Sequence, residues 1–168
     1  MRVEFKDHSE DVLAAFQKAV VAALTECGMV AGGHAKKTIT ENKNIDTGLL
    51  RNSITYALSG EQPAISNYKA DTPKPNRENA GNYSGTAPES SGGMSVYIGT
   101  NVEYGPYVEL ATGKHNPSGR PTSWTYKDSN GNWHKTGGNP ARPFLKPAVA
   151  DHKEQYLKII NKHMRRGK

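Results

Sequence analysis

The sequence predicts an α+β fold: two amphipathic helices packed on a small antiparallel β-sheet, with long extended loops. Three observations point to it: an apolar stripe at helical spacing near the start, a second near the end, and short alternating segments between them. The 168 residues read as a single domain, 1–168, with loop insertions at about 59–93 and 115–138 and a basic C-terminal helix at about 147–166. Only 35% of the residues are apolar and mean hydropathy is −0.75, so the core should be modest and the excursions from it long.

The first helix comes from "SEDVLAAFQKAVVAALTECGMVAGGHAKKTIT". Ser9 followed by acids suits a helix start. Leu13, Phe16, Val20, Leu24 and Cys27 recur at three- and four-residue steps, which predicts one buried stripe. Gly28, Gly32 and Gly33 each cost up to about 1 kcal/mol in a helix. Either the helix bends there or another element packs close, and it should run to about Thr40. Asp46-Thr47-Gly48 reads as a turn, or as the cap of a helical turn through Leu50. Ser53 to Leu58 then has strand character, with Ile54, Tyr56 and Leu58 on one face.

Residues 59–93 are rich in Gly, Pro, Ser and Asn and hold almost no large aliphatics. Such a stretch buries too little surface to offset chain entropy, which predicts a long mobile loop, the extended tip of a β-hairpin. "MSVYIGTN" is the next strand. Pro106 opens one or two helical turns in "YVELAT", ended by Gly113. Asn130-Gly131 between two Trp-bearing arms marks a second hairpin. In the final helix, Leu145, Val149, His152, Tyr156 and Ile159/Ile160 form the buried stripe and Pro147 suits the first turn.

Few of these residues form a pattern that carries chemistry. Cys27 is the only cysteine, which excludes an internal disulfide and a cysteine-based zinc cluster and fits a reducing compartment. It sits on the helix stripe and reads as a small buried hydrophobe. The six histidines lack HExxH or HxH spacing, so neither a metal nor a cofactor is expected. A phosphate loop fails at two places: counting back from Gly113-Lys114 puts Val108 where the first glycine belongs, and His115 stands where Ser or Thr should be. Glu103 and Glu109 flank a proline turn and are the one carboxylate pair for a small hydrolase. The structural alternative has Glu109 capping a helix or pairing with a base such as Arg142. No apolar run approaches the ~20 residues of a membrane helix, and the first residues lack the apolar stretch of a signal peptide. A soluble chain made in the cytoplasm is expected, with no membrane partner.

The net charge of +6 is uneven, since residues 151–168 hold six Lys/Arg against two acids. Such a tail either contacts nucleic acid or is a solvated helix end whose cations suit the helix dipole.

Three blocks then come in order after the first helix: "DTGLLRNSI" from Asp46, "VYIGTNVEYGPYVELAT" from Val96 and "ARPFLKPAV" from Ala141. Together they resemble the tailed-bacteriophage tail-component family, also called head–tail joining, neck or tail-completion proteins. Its blocks run D-T-G-x-L-x-x-S-I, V-x-x-G-x-x-x-x-Y-A-x-Y-V-E-x-G-T and A-R-P-F-L-x-P-A. Here Gly105 replaces the usual Ala, and "LAT" at Leu110 to Thr112 replaces "FGT". The resemblance implies a structural virion protein without catalysis, assembled in the host cytoplasm. It would form a ring, a hexamer by analogy, that joins or completes the tail between the head-side connector or adaptor and the tail-tube protein. DNA passing through such a ring would touch it non-specifically.

On that reading Asp46, Thr47, Gly48 and Arg51 fix the corner between first helix and strand. Tyr104, Tyr107, Glu109, Arg142 and Phe144 support the core or a subunit contact. Tyr68, Lys69, Lys74, Arg77 and Tyr83 sit on the loop that meets a partner. The alternative is a basic nucleic-acid-binding accessory protein that uses Arg165 and Arg166.

Overall fold

The computed structural model describes residues 7–42, 46–60, 64–85, 87–88, 93–128 and 130–166. Parts of the expected loop 59–93, namely 61–63, 86 and 89–92, and the last two residues lie outside them. The fold is α+β, but among the described residues the strands form three separate antiparallel pairs instead of one sheet.

Helix α1, Ser9–Glu41, is a single element of 33 residues, about 50 Å long at 1.5 Å per residue. Its buried positions are small: Ala23, Cys27, Gly28, Ala31, Gly32 and Ala35, with Ile39 near the end. Small residues let other elements approach its axis. Strands β1, Thr55–Leu58, and β4, Val96–Gly99, pair antiparallel with Thr55 opposite Gly99 and Leu58 opposite Val96. They lie across α1 at Gly28, where an added Cβ would stand 2.7 Å from both Tyr56 and Val96 side-chain carbons. The glycines therefore serve close packing, the second of the two options the sequence leaves open.

The expected stripe is only half right. Cys27 is buried and Val20 and Leu24 are half-buried, whereas Leu13 and Phe16 are exposed. The reason is that no described element lies opposite them. Helix α5, Lys153–Arg166, packs antiparallel along α1, with His34 bonded to Gln155 at 2.9 Å and Glu26 bonded to Lys162 and His163 at the far end. The first turns of α1 run on past the end of α5. By length and composition α1 also meets the requirement for a membrane span, with an 18-residue window of mean hydropathy 1.4. This corrects the expectation that no run approaches that length.

The final helix is broken. Helix α4, Leu145–Ala150, and α5 are separated at Asp151 and His152. The break lets the Tyr156 hydroxyl donate back to the Ala148 carbonyl and stacks His152 on His34, ring centroids 3.4 Å apart. Pro147 lies in the first turn of α4 as expected.

The stretch 59–93 contains regular structure that composition does not announce. Strands β2, Ala64–Lys69, and β3, Ala80–Gly85, pair antiparallel within it. Its outer ends do lead into the β1–β4 pair, closed by the Ser59 N–H to the Ser95 carbonyl at 2.9 Å. The Trp hairpin appears as expected, with β5, Trp124–Lys127, against β6, Trp133–Thr136. The short helix α2, Leu49–Ser53, precedes β1, and helix α3, Gly105–Leu110, follows β4. Helix α3 ends at Ala111, φ 72 and ψ 172, earlier than the expected Gly113. One apolar cluster joins the pieces: Ala35, Ile39, Leu49, Leu50, Ile54, Tyr68, Val102, Phe144 and Ala148.

Two outcomes test this packing. Gly28→Val should destabilise the fold by about 2 kcal/mol, because the overpacking outweighs the gain in helix propensity. Gly33→Ala, with nothing within 4 Å of its Cβ, should stabilise by up to about 1 kcal/mol; denaturant melts of the two variants decide. The second concerns the Trp hairpin, whose Asp128 carboxylate is held at a pKa of about 2 by His134 and then by the Asn132 and Asn130 main chain. A depressed folded-state pKa adds stability that is full above the ordinary 3.8 and is lost as pH falls toward 2. Amide exchange at Asn130 and Asn132 should therefore speed up between about pH 4 and pH 2, beyond the intrinsic trend of exposed amides, and an Asp128→Asn variant should lack that step.

Candidate functional site

The Asp46-Thr47-Gly48 corner is where α1 hands the chain to α2. Gly48 sits at φ 80, and a Cβ there would fall 1.9 Å from an Asp71 carboxylate oxygen. Both backbone and space demand glycine. The Thr47 carbonyl accepts the Asp71 N–H at 2.8 Å and the Thr72 N–H at 3.2 Å. Asn52 donates to the Lys69 carbonyl at 2.7 Å and to Asp71 at 2.9 Å, and the Arg51 guanidinium pairs with the same carboxylate. Lys74 pairs with Asp46, and that bond is the main reason the Asp46 pKa falls below its usual value. Asn79 closes the 70–79 turn by accepting the Lys74 N–H at 2.8 Å and donating to the Lys74 and Arg77 carbonyls. The β2–β3 hairpin is thereby fastened to the corner rather than left free.

Against this corner lies an open cleft of about 490 Å³. Thr47, Arg51, Arg77, Glu103, Tyr104 and Tyr107 line it, with Asp46 and Gly48 beside them and Ile39 and Leu50 at the base. Burial raises the Tyr104 pKa, opposed by the Leu50 main chain and the Thr47 hydroxyl in hydrogen-bonding reach. Tyr107 is 62% exposed. Tyrosine rings over mixed charge suit a protein surface, where one ring face is dried and the hydroxyl stays wet.

Behind the cleft stands a polar latch. Glu109 of α3 accepts the Phe144 and Leu145 N–H groups at 2.7 and 3.0 Å through one oxygen and the Lys146 N–H at 3.0 Å through the other. These are N–H groups that open α4 and have no partner within it, and the carboxylate also meets the positive end of the helix. Nearby the Arg142 N–H bonds the Val108 carbonyl at 2.9 Å. The capping role considered for Glu109 is what the structure contains, on the main chain of the Phe144 block. Glu103 lines the cleft while Glu109 turns away to α4, so the two acids do not face one substrate space.

Of the residues singled out in the sequence, Asp46, Thr47, Gly48, Arg51, Arg77, Tyr104 and Tyr107 come together at the cleft. Glu109, Arg142 and Phe144 form the neighbouring latch, with Phe144 wholly buried. Lys69 is exposed at the end of β2, Lys74 lies in the 70–79 turn paired with Asp46, and Tyr83 is half-buried beside Tyr97 and Tyr56. Tyr68 requires a correction: it is 5% exposed, its hydroxyl donating to Asn101 at 2.6 Å, and belongs to the core instead of a partner-facing loop. Sequence reasoning misses Asn52, Asp71, Asn79 and Asn101, the side chains that fasten the hairpin. Their only signal is a run of Asn and Asp at turn positions, which reads as loop chemistry.

The latch makes a quantitative expectation. Glu109→Ala should cost about 2–4 kcal/mol, since it strips three charge-assisted bonds from one helix start. Glu109→Gln, which keeps an acceptor oxygen, should cost less than Glu109→Ala. Equal losses in thermal melts would overturn that ranking and mean that a neutral acceptor oxygen supplies none of the hold, which would then rest wholly on the charge and the two oxygens together.

A comparison with protein families matches residues 4–110 to the HK97-gp10-like family, described as a bacteriophage HK97 gp10 tail component. The match spans the first helix, the corner, both hairpin strands, β4 and α3. No curated protein and no solved structure matches the chain. The chain belongs to the HK97-gp10-like family of phage tail components.

Proposed function

We propose that this tail component is a non-catalytic joining piece: copies assemble into a ring, a hexamer by analogy, that completes the tail between the head-side connector and the tail tube. The observation that carries the reading is the tyrosine-rimmed cleft at the Asp-Thr-Gly corner. It is preformed by the fastened hairpin and its lining mixes acids, arginines and tyrosines. Its tyrosines and arginines are of the kinds enriched at protein interfaces, and the cleft is pre-organised, so little ordering cost remains on binding. In a ring, many modest contacts of this kind add through effective concentration. The protein works in the virion, at the boundary of head and tail.

A second reading draws on α5. Its inner face packs on α1, while Lys153, Lys158 and Arg165 stay exposed. Those cations suit a phosphate backbone threading a ring, or DNA bound by a free accessory protein.

Light scattering of the full chain, alone and mixed with the tail-tube protein of the same virus, separates the two. A ring mass in either sample is the expected outcome. Monomer in both, with DNA retention that falls steeply with salt and drops in Lys158→Ala/Arg165→Ala, would replace the joining role by the accessory one.

A further inference from the structure

The molecule carries two apolar surfaces that cannot meet within one copy. The first is the projecting start of α1, where Val12, Leu13 and Phe16 are 66%, 57% and 56% exposed. A helical arm of this length is only marginally stable without a partner for its apolar side. The second is a groove of about 480 Å³ between α1, β4, α4 and α5. Leu24, Cys27, Val96, Ile98, Val149 and Ile160 are among its walls, and Val149 is half exposed at its rim. It is roomy enough for the Leu13 and Phe16 side chains together.

The charges of the two surfaces are opposite. The arm opens with Glu10 and Asp11 in its first turn. Lys146 lines the groove, and α5, which supplies Tyr156 and Ile160 to its wall, exposes Lys153, Lys158 and Arg165 against Glu154. Apolar fit gives the contact its strength and the flanking charges orient it.

We propose that the α1 arm of one copy seats in the apolar groove of a second copy, head to tail. Arm and groove are different surfaces of one chain, so each seated copy still offers a free arm or a free groove to the next. Such a heterologous contact builds rings where its rotation closes. The inference deepens the ring reading and rests on it for closure alone; the contact itself rests on the two surfaces. A bilayer is the rival occupant of an apolar arm; the same helix is anchored in the core from Ala23 and Cys27 onward, which favours a protein groove, and vesicle flotation separates the two.

The test uses exposed positions, which leave the core intact, with circular dichroism as the folding check. Phe16→Glu blocks the arm and Val149→Glu blocks the groove. Each variant alone should self-associate about tenfold or more weakly than the unaltered chain in sedimentation velocity, the loss usual for a central apolar anchor. An equimolar mixture of the two should recover pairs and nothing larger, because one intact arm meets one intact groove. Introducing Phe16→Cys and Val149→Cys in separate copies should give an intermolecular disulfide under mild oxidation.

Association unchanged in both variants overturns the contact, as does a mixture that stays monomeric; loss in Phe16→Glu with Val149→Glu unaffected would mean that arms pair with arms and overturns it as well. An unaltered chain that stays monomeric at its highest soluble concentration, with no cross-link between the Phe16→Cys and Val149→Cys copies, overturns it too. So does flotation of the unaltered chain with vesicles of phosphatidylethanolamine and phosphatidylglycerol that is lost in Phe16→Glu. Rings with the tail-tube protein that survive both variants would reject the arm-in-groove contact and leave the joining role standing.

Discussion

The Glu109 carboxylate, set on the N–H groups that open α4, holds together what the apolar core alone would not. The described strands of this chain come in three isolated pairs, and a two-stranded pair is marginal in water by itself. The Phe144 cluster gives them a common centre, but its members arrive on α1, α2, β2, the turn at Val102 and α4. Glu109 fixes the direction in which α4 leaves that centre, and with it the line of α5 along α1. A polar bond does what a larger core would do elsewhere: it sets the angle between elements that share little apolar area.

The same economy recurs at the corner. The β2–β3 hairpin carries few aliphatics, and its position follows from Asn52, Arg51 and the Thr47 carbonyl gripping Asp71 and Lys69. Each of these bonds is modest where water reaches it, but several converge on Asp71 and on main-chain groups left without partners at turn ends, so together they set the hairpin's position. The corner, the cleft beside it and the latch behind it are therefore a single mechanical unit built from the three sequence blocks.

Much of this is legible in the sequence where the signal is local. Helix α1, the pairing of β1 with β4 across a long excursion, and the Asn130-Gly131 hairpin follow from periodicity and turn residues. The β2–β3 hairpin is not legible, because "AISNYK" and "AGNYSG" owe their pairing to side chains 17 to 19 residues away, such as Asn52 and Asn101. The stripe through Leu13 and Phe16 is read correctly as apolar and wrongly as buried, since periodicity gives the face of a helix and not what stands opposite. For the site, the residues of the cleft are legible through their motif blocks. The target of Glu109 is not, because main-chain N–H groups leave no letter in the sequence. Ala111 is a related case: the resemblance expects glycine there, and the φ of 72 shows the backbone reason that composition hides.

The Trp hairpin leaves and re-enters the frame at neighbouring points. The Lys114 N–H bonds the Gly137 carbonyl at 2.9 Å, and the Thr112 N–H bonds the Asn139 carbonyl at 2.9 Å. With both feet pinned side by side, doubling the length of chain between them costs only about 0.6 kcal/mol of closure entropy. The protein thus carries a built-in port for variation: the tip can lengthen, shorten or accept a foreign peptide while the latch and the corner stay as they are. A lineage can change what this end of the molecule presents to its surroundings without renegotiating the fold.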